Sequence, residues 1–139
     1  MAELYVPDHI DYQLISGGKL GLLREIIQFG TPIYGYDVEL DRIGLDADGI
    51  LTLDAGYTWD FGSYAIDTPP MVIASAAHDA FCLLTNARMI PWGCRKLADS
   101  YFRFCLKANG GGVSRFWRWA GVSIYSQLFA RWRDKNDKP

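Results

Sequence analysis

What most restricts the fold of this chain is an abrupt change, near position 56, in how often glycine and proline interrupt it. Up to that point the breaks come every few residues and leave only short segments: YQLIS at 12–16, LLREIIQF at 22–29, IYGYDVEL at 33–40 and ILTLDAG at 50–56. Apolar runs of that length, bounded by turn-forming residues, read as strands. Gly17-Gly18 and Asp48-Gly49 suit tight turns between them, because glycine reaches positive φ without steric cost. The stretch LGLLREIIQF is also compatible with one short helix, a choice that periodicity over so few residues leaves open.

Beyond position 70 the uninterrupted runs reach helix length. Thr68, with Pro69 and Pro70 near the first turn, is a suitable N-cap for MVIASAAHDAFCLLTNARM. Pro91 opens a second helix through WGCRKLADSYFRFCLKANG, stopped by Asn109 and the glycines that follow. Ser114 caps a third, RFWRWAGVSIYSQLFARWR. The expected architecture is α+β: a small antiparallel sheet over 1–56, a functional loop over 57–70 and three helices over 71–133, forming a single domain across 1–139. No repeat or linker divides the chain.

Half of the residues are hydrophobic and 14% are aromatic, ample material for a core and the reverse of a disordered composition. The net charge of −2 argues against a nucleic-acid partner, since neutralising many phosphates requires a basic excess. Charge is uneven, with acids gathered between Asp37 and Asp67 and bases in the second half. Cys82, Cys94 and Cys105 are odd in number and lack CxxC spacing, which disfavours a disulfide framework or a thiolate zinc site and fits a reducing cytoplasm. The N-terminal residues have no signal-peptide pattern, and no run approaches the roughly 18 apolar residues of a membrane span.

Chemistry-bearing residues concentrate between positions 59 and 99. His78 and Asp79 follow Ala74, Ser75, Ala76 and Ala77, small residues that admit a ligand or another backbone close to the imidazole. Asp99 sits on the next helix, and two helices joined by a short connection lie side by side. Asp99 can then bond one ring nitrogen and leave the other to move a proton. Asp79 is turned about 100° from His78 on a helix. It points toward the WDFGS loop, where Trp59, Gly62 and Ser63 are the orienting residues. The carbonyls of that loop, with Asp79 and Asp60 and a contribution from Asp67, are hard oxygen donors that suit calcium rather than zinc. A plainer reading stands beside this one: the aspartates act as caps or ion-pair partners of Arg88 and Arg95, Trp59 covers the core, and Ser63 hydrogen-bonds its own loop.

Taken together, WDFGSYAIDTPP, SAAHDAFCLL and RKLADSYF resemble an uncharacterised bacteriophage and prophage family, domain of unknown function 1353. The resemblance covers about residues 50 to 110 and rests on Asp60, Gly62 and Ser63, on His78-Asp79 and on Ala98-Asp99. It implies a phage protein in the host cytoplasm or the virion, with other phage proteins as partners. A looser similarity links the same residues to phospholipases of the A2 type. That similarity implies His78 as the base that activates water, Asp99 as its orienting partner and Asp79 as a calcium ligand, the cation stabilising an oxyanion at an ester carbonyl. The match departs at Cys82, where the HDxxY pattern has tyrosine, and in the single glycine of the loop.

The segment from Ser114 to Arg133 interleaves aromatic and basic residues, with Trp117, Arg118 and Trp132 as candidate contacts for a membrane surface or a partner protein. Its alternative is an ordinary helix packing Trp117, Ile124 and Leu128 onto the sheet. Two functions follow: a small hydrolase-like phage protein acting on an ester or lipid, or a non-catalytic virion or host-interaction protein in which the same cluster is structural.

Overall fold

The computed structural model describes residues 3–60 and 69–108 of the chain. Its elements are β1 (Tyr12–Ile15), β2 (Leu20–Leu23), β3 (Ile27–Gly30), β4 (Val38–Leu40), β5 (Ile43–Leu45), β6 (Ile50–Leu53), β7 (Thr58–Asp60), α1 (Pro69–Asn86) and α2 (Cys94–Ala108). The α+β class is as expected, but the strands form two antiparallel sheets rather than one small sheet: β1-β2-β7 and β3-β6-β5-β4. Two helices follow among the described residues, and the expected third, Ser114 to Arg133, lies outside them. No helix among the described residues is long and apolar enough to cross a membrane.

LGLLREIIQF resolves into β2 and β3, in different sheets. Each strand alternates, burying Gly21 and Leu23 in β2 and Ile27 and Phe29 in β3, the period-2 pattern that a one-sided sheet requires. The turn before β6 forms at Asp46–Gly49, where Asp46 Oδ1 accepts the amides of Asp48 and Ile50. Gly49 adopts φ +87°, and a Cβ there would stand 2.5 Å from the Thr31 carbonyl oxygen, so both conformation and space demand glycine.

At the sheet margin, Tyr5 bridges Gly30 and accepts the Tyr101 hydroxyl at 2.6 Å. A Cβ on Gly30 would lie 2.3 Å from the Glu3 carbonyl oxygen and 2.5 Å from the Tyr5 ring. Gly30→Ala is therefore expected to lift this terminal segment away and lower stability by about 1 kcal/mol. Urea unfolding measures the loss, and hydrogen exchange should show early opening at the Tyr5 amide.

Residues 58 to 60, expected from the sequence to lie in a loop, form a strand instead. Thr58, Trp59 and Asp60 are β7, paired with β2 so that Trp59 stands opposite Gly21 and Asp60 opposite Leu20. Two side chains tie this strand to α1: the Tyr57 hydroxyl donates to the Ala76 carbonyl at 2.9 Å, and Trp59 Nε1 donates to Ser75 Oγ at 3.1 Å. Ala74, Ala76, Ala77 and Ala80 are all buried, and their small volume permits this close approach.

Helix α1 ends earlier than the Met89 limit that the sequence suggested. The Arg88 amide bonds the Thr85 carbonyl and the Met89 amide bonds that of Leu84. With Arg88 at φ 62°, this is a Schellman stop in which arginine takes the left-handed position usually held by glycine. The chain then turns through Pro91, Trp92 and Gly93 into α2, whose buried face carries Cys94, Arg95, Ala98, Asp99, Tyr101, Phe102, Cys105 and Leu106. That stripe follows helical periodicity and includes two charged residues, Arg95 and Asp99, one turn apart.

Candidate functional site

Because α1 and α2 pack as an antiparallel hairpin, the inner faces of the two helices bring His78 and Asp99 together. His78 Nε2 lies 2.6 Å from Asp99 Oδ1, and each residue is only 3% exposed. The Phe102 ring stands edge-on to the imidazole, 5.4 Å between centroids. The partnership expected from HD on one helix and AD on the next is present, in a buried setting rather than an open one.

The second ring nitrogen meets a residue that the sequence reading had counted only as a departure. His78 Nδ1 lies 3.7 Å from Cys82 Sγ, one helical turn on. The same sulfur accepts Arg95 Nη1 at 3.5 Å. Arg95 in turn donates Nη2 to Asn86 Oδ1 at 2.6 Å and rests its guanidinium 4.7 Å from the centre of the Trp92 ring. A continuous line of polar contacts therefore runs from Asp99 through His78, Cys82 and Arg95 to Asn86. Sequence held a signal for it: His78 with Cys82, and Arg95 with Asp99, are both i,i+4 pairs, and such residues share a helix face.

Burial works against a charged imidazole here, but the Cys82 sulfur and the Asp99 carboxylate outweigh it and push His78 up to about 10. The two neighbours thus favour the imidazolium, the form in which both ring nitrogens donate.

Asp79 faces the end of β7. Burial raises its carboxyl from 3.8 to about 6; the Asp60 backbone amide, which it accepts, and the charge of His78 pull the other way, while the Asp60 carboxylate adds to the rise. Its carboxylate thus ties α1 to β7. Among the described residues, no three His, Cys, Asp or Glu side chains are grouped to hold a metal ion. Of the expected oxygen donors for calcium, Asp60 and Asp79 are described, while Asp67 and the loop carbonyls beyond Asp60 lie outside the described residues.

Trp59, expected to orient a functional loop, is a core residue. It is 1% exposed and stacked on Tyr57 at 5.7 Å, in keeping with the plainer reading. Gly62, Ser63, Asp67, Trp117, Arg118 and Trp132 lie outside the described residues. A groove of about 300 Å³ on β4, β5 and β6 is lined by Asp37, Glu39, Asp41, Asp46 and Asp54 and contains neither His78 nor Asp99.

No family model, curated protein or solved structure matches this chain.

Proposed function

We propose that this chain is a small hydrolase-like protein of bacteriophage or prophage origin, whose reactive centre is His78 held by Asp99 and which acts on an ester or lipid acyl group. The observation that carries this reading is the 2.6 Å contact between His78 Nε2 and Asp99 Oδ1. It fixes the ring and leaves Nδ1 directed at the half-buried Cys82. In this geometry His78 serves as the proton donor to a leaving oxygen, and Asp99 keeps the ring oriented and offsets its charge. The ordered WDFGS, HD and AD motifs support the phage origin.

The test is hydrolysis of short- and long-chain p-nitrophenyl esters and of phospholipid vesicles by the full chain. His78→Gln and Asp99→Asn are each expected to lower turnover by at least about 100-fold, with circular dichroism confirming that each variant is folded. Unchanged turnover in folded His78→Gln would sink the proposal. The 3% exposure of both partners favours a second reading, a non-catalytic phage protein in which the cluster only locks α1 to α2. Under that reading no ester is cleaved, and the substitutions act on stability alone.

A further inference from the structure

Beyond the pair itself, we infer that Cys82 is the nucleophile of this centre and Arg95, 3.5 Å from its sulfur, the cation that positions it. The centre would then work by transient transfer of an acyl group to Cys82. The inference rests on the hydrolase reading above and adds to its proton donor a thiol nucleophile. Three groups stand in the order such chemistry needs: a sulfur, an imidazole facing it at 3.7 Å, and a carboxylate 2.6 Å from the far ring nitrogen. A nucleophile, its proton partner and an orienting third group are the general signature of an activated side chain.

Access and anchoring point the same way. Cys82 is half-buried, whereas Cys94 and Cys105 are buried, and burial pushes the Cys105 thiol far above its ordinary range. The guanidinium beside Cys82 does not swing freely, since Asn86 and the Trp92 ring fix it. The Cys82 sulfur therefore lies between the His78 ring at 3.7 Å and the Arg95 guanidinium at 3.5 Å, the kind of electropositive setting in which reactive cysteines are found.

The steps balance without an added oxidant or reductant. The Cys82 thiolate attacks the acyl carbonyl, an S–C bond forms, and the C–O bond to the alcohol breaks. The departing oxygen takes the proton from His78 Nδ1. Water then attacks the thioester and gives a proton back to His78. The S–C bond breaks, and carboxylic acid and thiolate are released.

The experiment uses the full chain at pH 7. Iodoacetamide labelling with peptide mapping is expected to modify Cys82 at least about tenfold faster than glutathione, and faster than Cys94 or Cys105. Arg95→Gln should slow that labelling several-fold in a protein that circular dichroism shows to be folded. p-Nitrophenyl acetate should leave an acetyl group on Cys82 that hydroxylamine removes. Labelling of Cys82 no faster than glutathione, or wild-type turnover in Cys82→Ser, overturns the inference. If turnover survives in Cys82→Ser but falls in His78→Gln, the hydrolase reading stands and the nucleophile does not. Fast labelling with no ester cleaved removes the ester reading and retains the activated thiol.

Discussion

Asp99→Ala is expected to lower the stability of this protein by about 3–5 kcal/mol at pH 7, the cost of leaving one member of a buried ion pair alone. The magnitude follows from where the pair sits. His78 and Asp99 are 3% exposed, so water cannot replace the missing carboxylate, and the Phe102 ring closes one side of the imidazole. The double change His78→Phe with Asp99→Ala should recover most of the loss, because it removes both charges and fills the vacated volume with an apolar ring. Urea unfolding of the four proteins in this cycle gives the coupling directly. The sign of the pH dependence follows from His78, whose folded value is raised from 6.5 to about 10. Its contribution is complete below about pH 6.5 and is lost as pH rises toward 10. The Asp99→Ala penalty should therefore shrink as pH rises from about 6.5 to about 10. A loss below about 1 kcal/mol at pH 7 would mean that the folded protein does not hold a charged, bonded pair.

The same pair shows how far sequence reasoning reached. HD on one predicted helix and AD on the next, joined by a short connection, were enough to bring His78 and Asp99 together, because helix hairpins leave few alternatives. The Gly-Pro punctuation of residues 1 to 56 was enough to predict an antiparallel sheet region. It was not enough to divide it into two sheets, since strand partners depend on long-range register: Gly21 pairs with Trp59, far along the chain and beyond that region. Treating Trp59 and Asp60 as loop residues hid β7, and with it the role of Asp79. The partner of Asp79 is the Asp60 amide, a backbone group that no side-chain pattern announces. Cys82 was missed for a different reason. Set against a tyrosine pattern it looked like a loss, while its helical spacing from His78 already placed a sulfur beside the second ring nitrogen.

Asp79→Asn is expected to raise stability at pH 7.5 by up to about 3 kcal/mol, the linkage equivalent of a carboxyl raised from 3.8 to about 6. The native state holds this proton more tightly than the unfolded chain. The contribution of Asp79 to wild-type stability should therefore be greatest below about pH 4 and fall as pH rises through 6. Asparagine keeps an oxygen to accept the Asp60 amide while removing the buried charge and its repulsion from the Asp60 carboxylate. The attraction of His78 and Arg95 for Asp79, which asparagine forgoes, makes the full figure an upper bound. At pH 4 the carboxyl is already protonated in the folded protein, and the gain should vanish. Thermal melts of both proteins at pH 4 and 7.5 check this, and the result bears on function as well as stability. A charge kept against the fold's own preference is a common mark of a working site. If Asp79→Asn instead destabilises at pH 7.5, the carboxylate's charge is in use. A calcium-dependent rise in wild-type melting temperature, absent from Asp79→Asn, would then identify a cation as what it serves.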